Sequence, residues 1–175
     1  MKTVKLLAIA LMAFAGAGSA FGQAYEKGDK QLNIGVGLGS QFVAAGANGS
    51  LPIGLSFEVG ATDKLSFGAY AGYSGATLNT GFGGDWKYRY ILAAARGSYH
   101  FDFGVENLDP YAGIMLGYNI ASVTTNGSAV TGASAGGVLW GAHAGARYYF
   151  GPKFGIFGEL GYGVAWLNAG VTFKF

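Results

Sequence analysis

Five charged residues sit where charge is costly. Glu58, Arg96, Arg147, Glu159 and Lys174 each fall inside a run of alternating apolar and small residues, on the face that carries the small ones. Carboxylates and guanidiniums taken out of water must pair with each other, and such pairs fill a core, gate a pore or relay protons. Arg96 and Arg147 lie a few residues before short turn-like connections, and Glu159 lies a few residues after one. With an odd-length turn at 151–153, Arg147 faces Phe157 and sits diagonal to Glu159, a separation long side chains span. The expectation is an Arg/Glu network that plugs an enclosed lumen. A gated pore or a proton path is the rival use of the same residues.

Other chemistries find little support. His100 and His143 are the two histidines, and there is no Cys, so no disulfide, thiolate metal site or lipidation cysteine is available. His143 has glycines on either side on its own face. His100 shares its face with Ser98 but lies near the turn end of its segment, the wrong depth for chemistry on lipopolysaccharide. A two-histidine metal site needs the pair to meet, which spacing does not show. The expectation is no catalytic residue, no cofactor and no metal. Glycine runs at 35–39 and 81–84 open no helix and carry no following Lys-Ser/Thr, so a nucleotide loop is excluded.

The elements that must position these charges repeat with period two. Leu32, Ile34, Val36 and Leu38 alternate with Asn33, Gly35, Gly37 and Gly39. Segments near 53–60, 65–73, 88–101, 112–119, 138–150, 154–162 and 167–175 do the same. Such alternation marks strands with two unlike faces. Connections at 41–52, 75–86 and 121–136 are long and rich in Gly, Ser, Asn and Thr. Those at 61–64, 151–153 and 164–166 are short, and 102–109 is intermediate. Alternate long and short connections are the outer-membrane barrel pattern.

Polarity decides which face meets what. Charged residues make up 11% of the chain and 33 residues are Gly, too few charges to solvate an outer surface. The large apolar residues must therefore face lipid, and the glycine-rich face must point inward. Tyr99, Phe101, Tyr148, Phe150, Phe154, Phe173 and Phe175 fall at one end of their strands, and Tyr73, Tyr118, Trp140 and Tyr162 toward the other, as two interfacial girdles require.

The N-terminus reads as a secretory signal peptide: Lys2 and Lys5, a nine-residue apolar run from Leu6 to Phe14, then small residues, with cleavage after Ala20 or Ala24. The barrel domain is then 25–175. Without Lys2 and Lys5 the 11 basic residues become 9 against 9 acidic ones, so the mature charge is zero and no basic patch suggests nucleic acid.

The stretches YHFDFGVENLDPYAGIMLGYNIAS (99–122) and ELGYGVAWLNAGVTFKF (159–175), with the alternation, resemble the small outer-membrane barrels of the OmpX/Ail/OmpA-barrel type, especially forms from Bacteroidetes-like bacteria. The resemblance implies an all-β fold, an eight-stranded antiparallel transmembrane up-and-down β-barrel. It is expected to be monomeric, in the cell outer membrane, with both termini periplasmic. Leu167, Ala169, Val171, Phe173 and Phe175 resemble the terminal signal read by the barrel-assembly machinery. Implied partners are outer-membrane lipid and lipopolysaccharide, that machinery, and a host or surface ligand at the loops. The expected role is membrane integrity or loop-borne adhesion, not catalysis. The alternatives are a narrow porin-like channel, a lipid-modifying enzyme and a soluble periplasmic binding barrel.

Overall fold

The computed structural model describes residues 24–40, 48–79, 85–125, 128–129 and 135–175. The basic start and apolar run of the expected signal peptide lie outside the described residues, as do parts of the three long connections. Eight strands carry the fold: β1 (Lys30–Ser40), β2 (Ile53–Gly60), β3 (Leu65–Asn79), β4 (Asp85–His100), β5 (Leu108–Thr125), β6 (Ala135–Tyr149), β7 (Phe154–Gly161) and β8 (Ala165–Lys174). Each pairs antiparallel with its neighbours in sequence. Strand β8 returns to β1, from Gln31 opposite Lys174 to Ser40 opposite Ala165, and closes the barrel. The chain is an all-β, eight-stranded antiparallel barrel.

Three strands outrun the sequence reading. Strand β3 continues past Tyr73 to Asn79, β4 begins at Asp85, and β5 runs for 18 residues. Residues Asn48–Gly49 and Ser128–Ala129 add short pairings to β3 and β5. Much of what was expected as long loop is therefore ladder.

The turns at the other end have local causes. Thr62 Oγ1 accepts from the amides of Lys64 and Leu65 and shapes the β2–β3 turn. Asp102 Oδ1 accepts from the Gly104 amide at 2.8 Å, and Gly104 and Asn107 take φ of 68° and 64°, a region that Gly and Asn tolerate.

Polarity is inverted relative to a soluble barrel. Trp140 on the outer wall is 79% exposed, while Arg147, one of the longest inward side chains, is 0% exposed. The outer wall carries Ile34, Leu55, Phe67, Ile91, Ile114, Leu160 and their neighbours, an apolar band that only lipid or another apolar partner can cover. Its turn-end rim is aromatic: Tyr99–Phe101, Tyr148–Phe150 and Phe154–Phe173 rings lie 5.0, 5.6 and 5.5 Å apart. At the opposite rim Tyr162 packs edge-on against Trp166 at 5.9 Å.

Candidate functional site

The lumen is where polar chemistry concentrates. Its floor is a cluster of buried charges. Arg96 contacts Glu58 through Nε and holds Glu159 with two bonds, at 2.8 and 3.4 Å. Arg147 donates to Asp109 at 2.9 Å and to Asn33 at 3.1 Å, and lies 3.5 Å from Glu58. Its guanidinium stacks 4.0 Å above the Tyr111 ring, whose hydroxyl donates to Glu159 at 2.9 Å. Arg147 lies opposite Phe157 in the ladder, and Gly145 lies opposite Glu159.

A repeated geometric device lets these groups meet. Adjacent strands are about 4.8 Å apart, so side chains two strands apart touch only if the residue between them is missing. Along one row run Glu58, Gly68 and Arg96; along another, Ser98, Gly113 and His143; along a third, Tyr111, Gly145 and Glu159. In each row the outer two bond over the glycine. A Cβ on Gly113 would come within 2.7 Å of His143 Nε2, and one on Gly145 within 2.9 Å of the Tyr111 hydroxyl. These three inward glycines thus leave gaps at defined positions, each matched to a pair that closes over it.

The sequence-derived set divides accordingly. Glu58, Arg96, Arg147 and Glu159 come together. Lys174 does not: it sits half-buried at the turn-end rim, 3.4 Å from Asp29, and donates to the Ala24 carbonyl. It is two residues further along its strand than the buried Thr172 and lies opposite Gln31, whose amide takes the inward partners Asp109 and Tyr149. Leu167, Ala169, Val171 and Phe173 lie on β8 between β1 and β7, and the Phe175 amide extends the ladder by donating to the Lys30 carbonyl. Asp109, Ser66, Asn33, Gln31 and Tyr111 were missed. For Asp109 a signal existed, since it shares parity with Gly113 and Met115 on β5.

The two histidines have different partners. His143 accepts or donates at 2.9 Å with Ser98, a hydroxyl brought from β4 across Gly113. His100 lies 2.9 Å from Ser66 Oγ and 2.6 Å from Asp109 Oδ1. The Tyr111 ring stands between them, 6.1 Å from each, so they form no joint metal site. Among the described residues no group of three His, Asp or Glu is placed to hold a metal ion.

Ser66, His100 and Asp109 have the spacing of a nucleophile relay, but their surroundings oppose that use. Ser66 is fully buried and donates its proton to Glu58 at 2.7 Å. The single Ser66 proton is thus already committed to a carboxylate and not to His100. The imidazole face is covered by Tyr25, stacked at 3.5 Å and nearly parallel. Tyr25 donates to the Thr62 and Leu65 carbonyls at 3.0 and 2.7 Å. Burial, helped by Asp109 and Glu58, pushes its hydroxyl up to about 12. A cleft of about 370 Å³ outside Tyr25, lined by Lys64, Asp102 and Glu106 among others, reaches His100 and Asp109 from the turn side, with Tyr25 in its wall.

Above the charged floor lies an apolar layer of Tyr70, Leu92, Ala94, Met115 and Val164, with Leu139 against it. Val164 comes from the β7–β8 turn, which folds inward. Its side chain is fully buried and occupies the space that a Cβ on Gly72 would need. The void between Asn33, Tyr70, Phe157 and Glu159 measures about 10 Å³, the lower limit for one water.

This combination, a closed eight-stranded barrel with an apolar outer wall and a polar, filled lumen, defines the class of inside-out barrels. No family model matches the sequence, and no curated protein is similar to it. Solved structures are similar in fold. OprG of Pseudomonas aeruginosa superimposes with TM-score 0.55 at 13% identity, over 86% of this chain and 97% of that one. The N-terminal β-barrel domain of OprF from the same organism gives 0.50 at 18%, over 85% and 98%. Ail of Yersinia pestis, in complex with the heparin analogue sucrose octasulfate, gives 0.50 at 13%, over 85% and 95%.

Proposed function

We propose that this chain is an integral outer-membrane barrel that acts as a sealed structural element and presents its long connections for surface contact. Residues 1–24 are read as a Sec signal peptide, both termini as periplasmic and the barrel as a non-enzymatic monomer. Strand β8, with Leu167, Ala169, Val171, Phe173 and Phe175, is read as the edge recognised by the assembly machinery. The orientation draws support from charge. Ten charged residues crowd the turn end or its flanks, from Glu26 to Lys174, whereas Asp85, Lys87 and Arg89 are the only ones toward the long connections.

One observation carries the sealed reading: the lumen is filled at three levels, by Val164 and its apolar layer, by the Arg96–Arg147 cluster, and by Tyr25 at the base. A pore needs a continuous wet path, and every level here is occupied. Loop composition shapes the contact reading. Residues 41–47, 80–84, 126–127 and 130–134 contain no charge. A sulfated partner such as the one bound to Ail would find only Lys87 and Arg89, so neutral or glycan-like surfaces fit better. The test is electrical. The mature barrel reconstituted in a planar bilayer should give no steady unitary current, and a reproducible one in the wild type would overturn the sealed reading.

A further inference from the structure

Four glycines lie side by side on one ring of the lumen wall. The ladder aligns Gly170 on β8, Gly35 on β1, Gly54 on β2 and Gly72 on β3, between Phe157 on β7 and Leu92 on β4. With strands about 4.8 Å apart, bare backbone runs for about 14 Å. Two side chains close most of this trench. The Phe157 ring lies over Gly35, and Val164 lies over Gly72. Gly54 stands between them, and the void of about 10 Å³ lies beside it.

The polar groups around that void are unmatched in a specific way. Asn168 and Glu159, paired on β8 and β7, reach it from one side of the trench; Ser56 and Tyr70, paired on β2 and β3, reach it from the other. All four are buried. Asn168 is 6% exposed, and its Oδ1 accepts no hydrogen bond among the described residues, while its amide donates to the Ala165 carbonyl. Ser56 Oγ accepts from Asn33 at 3.0 Å, and the Tyr70 hydroxyl accepts from the Val164 amide at 3.4 Å. Neither hydroxyl proton has an acceptor among the described residues. The Glu159 carboxylate has lone pairs beyond those that Arg96 and Tyr111 use. Two donors and two acceptors from four strands therefore face one small space.

That count selects the occupant. A metal cation would meet two hydroxyl protons beside the guanidiniums of Arg96 and Arg147, which bond Glu159 and Asn33. A halide would meet the Glu159 carboxylate. A hydrocarbon group would leave all four polar groups unpaired, which is costly in a buried site. Water donates two bonds and accepts two, and a buried water makes two to four.

We infer that the space beside Gly54 binds one ordered water, which accepts from Ser56 and Tyr70 and donates to Asn168 Oδ1 and Glu159. The volume admits one water and excludes a second. This water ties β2, β3, β7 and β8 together where the charged floor meets the apolar layer, through side chains that share no direct bond. The inference depends on the packed lumen and not on the surface role proposed above.

Two measurements test it. The first is a crystal structure of the mature barrel at a resolution that shows ordered water. One peak should lie about 2.7–3.2 Å from Asn168 Oδ1, Ser56 Oγ and the Tyr70 hydroxyl. A map with ordered water elsewhere in the protein and no peak here overturns the inference. So does a peak ringed by six or more oxygens at about 2.3–2.6 Å, the shell of a bound cation. The second is a double-mutant cycle with Y70F and N168L, read by reversible unfolding in phospholipid vesicles. Tyr70 and Asn168 are not bonded to each other, so their coupling reads what bridges them. Once one variant has broken the bridge, the other should cost less. The folding equilibrium of Y70F/N168L should be at least threefold more favourable than the two single losses multiplied together. Independent losses overturn the bridge. Should a variant misfold, the wild-type map still decides. None of these outcomes bears on silence in planar bilayers, which tests the sealed reading separately.

Discussion

Replacing Glu58 by Gln distinguishes a dry lumen from a wet one. The residue is 1% exposed; its carboxylate is ion-paired with Arg96 and accepts from Ser66 at 2.7 Å and Ser98 at 3.3 Å, with Arg147 at 3.5 Å. Glutamine keeps the volume and one acceptor but removes the charge and sets an amide donor against two guanidiniums. At an effective dielectric of about 20, unit charges 4 Å apart interact by about 4 kcal/mol. Breaking a buried pair costs about 3–5 kcal/mol. Arg96 keeps Glu159 and Arg147 keeps Asp109, which favours the lower end, about 3 kcal/mol. In a hydrated pore the same pair would contribute only about 0–1 kcal/mol. The assay is reversible urea unfolding in phospholipid vesicles, followed by the fluorescence of Trp86, Trp140 and Trp166 and checked by gel mobility. K153Q serves as a surface reference. A loss near 3 kcal/mol for E58Q, about a hundredfold in the folding equilibrium, is the expected result. A loss within about 0.5 kcal/mol of the K153Q reference would refute the dry, paired lumen.

Further expectations concern the parts that close the lumen. Gly145→Val puts methyls where the Tyr111 hydroxyl reaches Glu159; it should lose about 1–3 kcal/mol by overpacking in the same unfolding assay. Val164→Ala should lower stability by roughly 1 kcal/mol and leave planar bilayers silent, because the charged layer beneath stays in place. Tyr25→Ala removes the stacked cap on His100; hydrogen exchange should rise at the amides of residues 24–30 and 61–65 while the β4–β5 ladder stays protected. Removing both guanidiniums, as R96M/R147M, strands three carboxylates and should abolish refolding in vesicles.

The barrel was legible in the sequence because its two faces meet unlike surroundings. Leu32 to Leu38 against Asn33 to Gly39 is apolar outer wall against lumen, written out residue by residue. The register that sets Arg147 opposite Phe157 was legible too, since a turn of fixed parity fixes which residues oppose each other, but the partners were not: Arg147 goes to Asp109 and Glu58, and Glu159 to Arg96. Legibility stopped where that contrast stops. Beyond Tyr73, β3 continues through Ser74, Gly75, Ala76 and Thr77, where neither face is strongly apolar, so the ladder persists while the period fades. Asp109 lay beside a turn and was assigned to it. Lys174 has lumen parity, yet depth as well as parity decides which partners a side chain meets. Val164 and Tyr25 carry no local pattern that announces an inward fold; only the gap at Gly72 and the exposed face of His100 explain their positions, and both are properties of the closed barrel.

The bonds that cross the lumen have a consequence for how the chain folds. Arg96 and Glu159 are 63 residues apart, Arg147 and Asn33 114, and Gln31 and Tyr149 118. None of these contacts can form within a hairpin, and contacts so distant in sequence make folding slow. Until β8 meets β1 the five buried charges have no enclosure and keep their water. The last strand pairing and the expulsion of that water are therefore a single event, and a half-built barrel is a wetter object than its strand count suggests.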